Sequence, residues 1–186
     1  MSPRSFSPLQ RGLHWLMAAA ILTMLFIGIG MVSTVSHAHL TLLAVHRPLG
    51  LAILLLAIVR LVIRLTRGTP PLPSDLPPLM RLGALGSHVL LYALMIALPL
   101  IGWAMMSAAG DPILIAGMHI PPLLSPNAAL HGILREAHTW LALALLALIL
   151  MHFAAALFHA WIRRDGVFEA MAGGEGAAPV VKLSQQ

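Results

Sequence analysis

The sequence predicts an all-α integral membrane protein, built as a four-helix transmembrane bundle. Of its 186 residues, 59% are hydrophobic and 9% are charged, and the mean hydropathy is +0.91. A soluble domain of this length cannot bury so much apolar surface, whereas a bundle that faces lipid does not have to. Four apolar segments, each about 20 residues or longer, can cross a hydrocarbon core of roughly 30 Å. They lie at residues 13–32, 46–65, 82–106 and 141–162.

The first two segments each contain a feature that needs an explanation. The segment 13–32 follows Arg4 and Arg11, so a secretory signal peptide is the alternative to a membrane span. Its apolar run is longer than a signal core and no A-x-A cleavage site follows it, so we predict a span. In the segment 46–65, Arg60 lies inside the apolar stretch, where it either snorkels to the interface or faces a buried anion.

The third and fourth segments complete the predicted domain, which we place at residues 1–165. Pro99 and Gly102 predict a kink toward the end of the third segment. In the fourth, only Thr139 interrupts the apolar residues that separate His138 from His152. Residues 166–186, which include GGEGAAP, predict a mobile cytoplasmic tail.

The basic residues indicate how the bundle is oriented. In a four-span arrangement nine of the eleven Lys and Arg residues fall on one side, and only Arg47 and Arg135 fall on the other. This bias predicts a multi-pass membrane protein with both termini cytoplasmic. Since the net charge of +5 reflects span ends rather than a basic surface, we expect the lipid bilayer and no nucleic acid as a partner. The absence of cysteine excludes disulfides, iron–sulfur clusters and c-type haem attachment.

Four of the ten histidines form two pairs at matching depths. His138 and His152 are fourteen residues apart, close to four helical turns, so both leave one face about 21 Å apart along the axis. By the predicted orientation, His46 shares the outer level with His138, and His14 shares the inner level with His152. Each pair therefore joins two different helices.

Two such pairs fit the needs of two b-type haems enclosed by the bundle. A b haem takes two axial nitrogens on opposite faces and an apolar slot between helices, and bis-imidazole ligation favours electron transfer. We predict two haem b per chain, with His14 and His152 as axial ligands of the inner haem iron and His46 and His138 of the outer. A zinc site and methionine ligation remain open, and His88 is the alternative to His14.

Further polar residues are candidates for secondary roles near the haems. Arg60 shares the face of His46 at the inner level and is a candidate propionate partner. His88 and His159 are candidates for propionate or quinone contacts, and Arg47 and Arg135 adjoin the outer ligands, where they could bind propionates or steer an anionic donor. The remaining histidines are expected in solvated loops: His37, His39, His119 and His131.

The motifs around these histidines resemble the bacterial cytochrome b561 family over about residues 5–170. They are RGLHW, HRPLG, GSHVLLYALMIALPLIGWAMM and REAHTWLALALLALILMHFAAALFHAWIRRDG. The resemblance implies a fold similar to the membrane cytochrome b subunits of hydrogenases and formate dehydrogenases. It also implies transmembrane electron transfer in the bacterial inner (cytoplasmic) membrane, through two b haems coupled to the quinone pool, with the same four histidines as ligands.

The resemblance leaves the electron donor open. The family includes a superoxide oxidase activity that passes electrons from superoxide to ubiquinone, so our first expectation is a superoxide:quinone oxidoreductase. The basic residues Arg47 and Arg135 near the outer ligands would suit an anionic donor such as superoxide. The alternative is a membrane-anchor subunit that passes electrons between quinone and a docked protein redox partner, a dehydrogenase or hydrogenase. A histidine-lined metal or proton transporter is the third reading.

Overall fold

The computed structural model describes residues 5–34, 36–111, 113–115 and 117–173, and this part of the chain is mostly helical. Its four long helices are α1 (Pro8–Ser33), α2 (His37–Arg67), α3 (Pro78–Ala109) and α4 (Ala128–Leu157). Each is long and apolar enough to cross a membrane. The predicted four-helix transmembrane bundle is therefore confirmed.

The short connections fix how the helices run. Only residues 34–36 separate α1 from α2, which pack closely, so these two helices are antiparallel. The closely packed neighbours are consecutive in the chain: α1 with α2, α2 with α3, and α3 with α4. The first and last described residues consequently lie at one end of the bundle, which we call the terminal end. The opposite end is the hairpin end, because β1 (Ile113–Ile115) and β2 (Met118–Ile120) form an antiparallel hairpin there.

Local capping explains why the helices extend beyond the apolar segments. At α1, Ser7 and Gln10 form a capping box and Pro8 occupies the first turn, so the helix begins before the apolar residues do. The Asn127 side chain accepts a hydrogen bond from the Leu130 amide (3.0 Å) and starts α4.

Four histidines lie in regular secondary structure rather than in the loops that the sequence predicts. Ser36 caps α2, so His37 and His39 lie in its first turn rather than in a loop. His131 likewise lies in the first turn of α4, and His119 lies in β2. The prediction of loop positions is thus wrong for all four histidines: three lie in the first turn of a helix, and His119 lies in a short strand.

The end of α4 also differs from expectation. A π-helical segment, Phe158–Arg163, continues α4, and a short helix α5 (Val167–Ala172) follows it. Ala170 of α5 is buried, and its carbonyl accepts a hydrogen bond from the Phe6 amide (3.2 Å). Residues 167–172, expected within the mobile tail, therefore form a helix that packs back on the bundle; the rest of that predicted tail, residues 174–186, lies outside the described residues.

The buried core lies midway along the bundle. It consists of eight buried residues: Met17, Ile21, Ile53, Ala57, Tyr92, Met95, Leu98 and Leu145. Leu145 is seven residues from both His138 and His152, about 10 Å along the helix in each direction. The core is therefore an apolar layer between the two histidine levels. Large apolar residues on the outside, such as Phe26 and Leu55, are exposed as lipid-facing residues are.

Candidate functional site

The first histidine pair lies at the hairpin end and joins α2 to α4. The ring centroids of His46 and His138 are 6.3 Å apart, with an angle of 63° between the ring planes. The Nδ1 atoms of both rings are buried and have no hydrogen-bond partner among the described residues. Gly102 of α3 lies against this pair, since a Cβ atom there would be 3.4 Å from Cε1 of His138. We call His46 and His138 the hairpin-end pair.

The second pair lies at the terminal end and joins α1 to α4. The ring centroids of His14 and His152 are 6.4 Å apart, with an interplanar angle of 66°. We call these two residues the terminal-end pair. Its centroid distance matches that of the hairpin-end pair within 0.1 Å, although the two pairs use different helices.

His88 of α3 also reaches the terminal-end pair. Its ring centroid is 5.4 Å from that of His152, at an angle of 83°. The Nδ1 atom of His88 lies 2.6 Å from the carbonyl oxygen of Ala84. Since a carbonyl only accepts, His88 donates from Nδ1 and keeps Nε2 as an acceptor.

Two arginines of α2, Arg60 and Arg64, lie at the terminal end. Arg60 donates from Nη2 to Nδ1 of His14 (2.9 Å), so it points into the bundle instead of snorkelling. Its guanidinium carbon is 5.6 Å from the centroid of the Tyr92 ring, and that of Arg64 is 5.9 Å from the same centroid. Both distances fall within the range of cation–π contacts. The terminal-end pair therefore lies beside the charge of Arg60, and Arg64 approaches the same tyrosine ring as Arg60 does.

The arginines near the hairpin-end pair are in a different situation. Arg47 lies 3.5 Å from the carboxylate of Asp111, and this ion pair ties α2 to the end of the connection that follows α3. Arg135 is exposed at the start of α4. Of these two candidates, the structure thus gives Arg47 an acidic partner and leaves Arg135 at the surface.

His159 belongs to a polar network at the terminal end. Its Nδ1 lies 2.8 Å from Oδ2 of Asp165, and the same oxygen accepts from Nε of Arg163 (2.9 Å). Arg163 also donates to Asp75 (2.8 Å), in the connection between α2 and α3. Burial raises the pKa of Asp165, but the hydrogen bonds from His159 and Arg163 outweigh it, so its pKa lies below the ordinary value.

The sequence interpretation missed three residues at these sites. Tyr92 is the only tyrosine of the chain and follows His88 by one turn, a spacing that indicates a shared face. Asp165 comes directly after two arginines, which marks it as a candidate ion-pair partner. The sequence assigned Gly102 only to a predicted kink beside Pro99; its contact with His138 could not be predicted, because it depends on the approach of α4.

Comparisons with known proteins agree with one another. A family model described as prokaryotic cytochrome b561 matches residues 5–174. Cytochrome b561 homolog 2 of Escherichia coli (strain K12) is 29% identical over 92% of this chain and 93% of its own length. Cytochrome b561 homolog 1 of the same strain is 30% identical over 86% of this chain and 92% of its own. A Yersinia pestis protein named "Probable superoxide oxidase CybB" is 31% identical over 87% of this chain and 92% of its own.

Proposed function

The chain belongs to the prokaryotic cytochrome b561 family, whose members bind b-type haem and transfer electrons in membranes, and we propose that it conducts electrons through two b haems from superoxide to ubiquinone. In this proposal the terminal end faces the cytoplasm and the hairpin end faces outward, in the bacterial inner membrane. The observation that carries the proposal is the presence of two histidine pairs with matching separations, one at each end of α4.

The separations support ligation of one iron by each pair. Since a metal–imidazole bond is about 2 Å long and the ring centre lies about 1.2 Å beyond the nitrogen, two imidazoles on opposite sides of an iron have centroids roughly 6.4 Å apart. The two pairs are 6.3 and 6.4 Å apart. The residues therefore fit the group, with His46 and His138 as ligands at the hairpin end and His14 and His152 at the terminal end. The ring centroid of His88 is 5.4 Å from that of His152, shorter than this expected separation, which favours His14 as the second ligand.

The helices supply the space that the group needs. Each pair joins α4 to α1 or α2, and these helices are not among the closely packed neighbours of the described chain. A haem held by these histidine pairs would lie in an apolar slot between such helices. When bound, a bis-imidazole b haem supplies a one-electron iron couple that is closed to external ligands.

The protein residues have distinct tasks in the proposed reaction. The exposed guanidinium of Arg135 and the half-buried one of Arg47 would attract the superoxide anion toward the hairpin-end pair. The four histidines hold the redox centres at a fixed spacing, and the apolar core keeps water out between them. Two superoxide anions would give up one electron each and leave as oxygen, while ubiquinone takes two electrons and two protons from the terminal end to become ubiquinol. A relative that carries the name superoxide oxidase supports this choice of donor.

The first test is the number and origin of the haems. A pyridine haemochrome assay on detergent-purified protein should give two b haems per chain. His46→Ala and His138→Ala should each remove one haem, and His14→Ala and His152→Ala should each remove the other, so the reduced absorbance falls by about half in every case. His131→Ala is the matched control, because its Nδ1 is bonded to the Met105 carbonyl, and it should keep both haems. If His88→Ala loses a haem and His14→Ala keeps both, the terminal-end assignment is wrong.

The second test is the electron donor. Protein in liposomes with ubiquinone should form ubiquinol when superoxide is generated enzymatically outside, and superoxide dismutase should abolish it. Arg135→Gln should slow the reaction at low ionic strength and have little effect at high salt, because screening removes the attraction. If ubiquinol forms only with an added dehydrogenase or hydrogenase, the anchor-subunit alternative is correct.

A further inference from the structure

Two arginines on one helix face are an unfavourable arrangement unless an anion accompanies them. Arg60 and Arg64 are four residues apart on α2, both are half-buried, and both guanidinium groups approach the ring of Tyr92. Like charges at this spacing repel each other, and burial makes an uncompensated charge costly. Among the described residues, neither arginine forms a salt bridge. A negatively charged group beside the two guanidinium groups would therefore stabilise them.

We propose that Arg60 and Arg64 hold the two propionate carboxylates of the terminal-end haem and make that haem the easier of the two to reduce. This inference rests on the proposed dihaem function. A guanidinium binds a carboxylate through two parallel hydrogen bonds, and two guanidiniums side by side match a group that carries two carboxylates. The ring of Tyr92 lies within cation–π distance of both guanidinium groups, so it helps to position them.

The hydrogen bond between Arg60 and His14 determines which nitrogen of His14 carries the proton. A guanidinium only donates, so Nδ1 of His14 accepts and the ring carries its proton on Nε2. A neutral imidazole that binds iron through Nε2 must instead carry the proton on Nδ1. Arg60 then needs another acceptor near His14. A propionate oxygen is such an acceptor, whereas the nearby sulfur of Met17, 3.7 Å from Nη1, is a weak one.

The charges at the two ends of the bundle differ, and this difference determines the sign of the effect. At the hairpin end, the described chain has two arginines and two acids, Asp111 and Glu136, and Arg47 is paired with Asp111. At the terminal end, it has seven arginines and three acids, and one of these arginines, Arg60, donates a hydrogen bond to His14 of the histidine pair. A nearby positive charge favours the ferrous over the ferric iron, because reduction removes one positive charge. The electron is therefore stabilised at the terminal end, which drives its movement from the outer haem toward the quinone.

Redox titration of single-haem proteins tests the inference. In a His46→Ala background only the terminal-end haem should remain, so its midpoint potential can be followed without overlap. Adding Arg60→Gln or Arg64→Gln should lower that potential by at least 59 mV, a tenfold change in the one-electron equilibrium. Arg60→Lys, which keeps the charge, should restore most of the loss. Arg67→Gln is the matched control, since this exposed arginine is on the same helix and should change the potential much less.

A second measurement identifies the anion. Loss of the terminal-end haem to apomyoglobin should be faster in the Arg60→Gln, Arg64→Gln double variant than in the parent. Reconstitution with the dimethyl ester of haem should speed this loss in the parent and add little in the double variant, as expected when both changes remove the same interaction. Additive effects would mean that another anion, such as a lipid phosphate, occupies the arginines. That result, or an unchanged potential with haem retained, would overturn the inference, whereas a protein without haem would overturn the proposed function itself.

Discussion

At the scale of single residues, the position of His138 depends on a neighbour without a side chain. Gly102 of α3 lets the imidazole lie against the helix backbone, and a Cβ there would meet Cε1 of the ring at 3.4 Å. That distance is an ordinary contact, so one added carbon fits, but further carbons would occupy the space of the ring itself. The hairpin-end pair therefore requires a small residue at this point of α3.

We expect Gly102→Leu to displace His138 and remove one of two haems, which halves the reduced haem absorbance per chain. Gly102→Ala should keep both. The control is Gly132→Leu, since Gly132 of α4 has open space where a Cβ would lie. Absorbance spectra of the three purified variants decide the matter, and a Gly102→Leu protein with two haems would show that the ring does not need this space.

At the scale of one element, the π-helical segment Phe158–Arg163 changes the direction of the chain after α4. The Arg164 amide bonds the carbonyl of His159, five residues back (2.8 Å), and Arg164 adopts a left-handed conformation with φ of 51°. The wider turn brings Asp165 back to His159 and Arg163. This element therefore holds the terminal end together through one carboxylate.

The stability of this element should depend on pH through Asp165. Its folded-state pKa is lowered, so the stabilisation is fully present above the ordinary carboxyl pKa of about 3.9 and is lost as the pH falls through the folded-state value. Asp165→Asn should weaken the element by about 1.5–3 kcal/mol at neutral pH. Hydrogen exchange of residues 159–172 should then be roughly tenfold to a hundredfold faster. Glu136→Gln, at the opposite end, should leave this exchange unchanged; equal exchange in Asp165→Asn would contradict the assigned role.

At the scale of the whole molecule, the helices form an antiparallel bundle whose two ends differ in charge. The four histidines of the two pairs lie on three helices, and the apolar core separates the pairs. The excess of arginine at the terminal end supports the proposed cytoplasmic location of that end, by the positive-inside rule. Function in the proposed direction depends on this orientation, since superoxide must meet the hairpin end.

Reporter fusions test the orientation directly. Green fluorescent protein fused after Gly68, at the end of α2, should fluoresce, and alkaline phosphatase fused after Gly110, at the end of α3, should be active. Exchanging the two reporters should silence both. The opposite pattern would place the terminal end outside the cytoplasm and reverse the proposed direction of electron flow.

The histidine levels could be predicted from the sequence, whereas two contacts at the terminal end could not. The spacing of His138 and His152 follows from helical geometry alone, and span order suffices to put His14 and His46 at the matching levels. The inward direction of Arg60 does not follow, because it depends on how α2 is rotated against its neighbours. The contact between His159 and Asp165 could not be predicted either, since a regular α-helix would not bring these two residues together as the π-helical segment does.

The apolar core between the histidine pairs has a consequence for the energised membrane. In the proposed direction, an electron that moves inward between the two levels would cross about 21 Å of a roughly 30 Å hydrocarbon core, or about two-thirds of its thickness. The core layer excludes water and ions, so this movement displaces net charge, and the membrane voltage acts on it with about 1.5 kcal/mol per electron per 100 mV. A voltage that is negative inside opposes inward transfer. We therefore expect an uncoupler to accelerate turnover in sealed vesicles, so that the protein works fastest when the membrane is least charged.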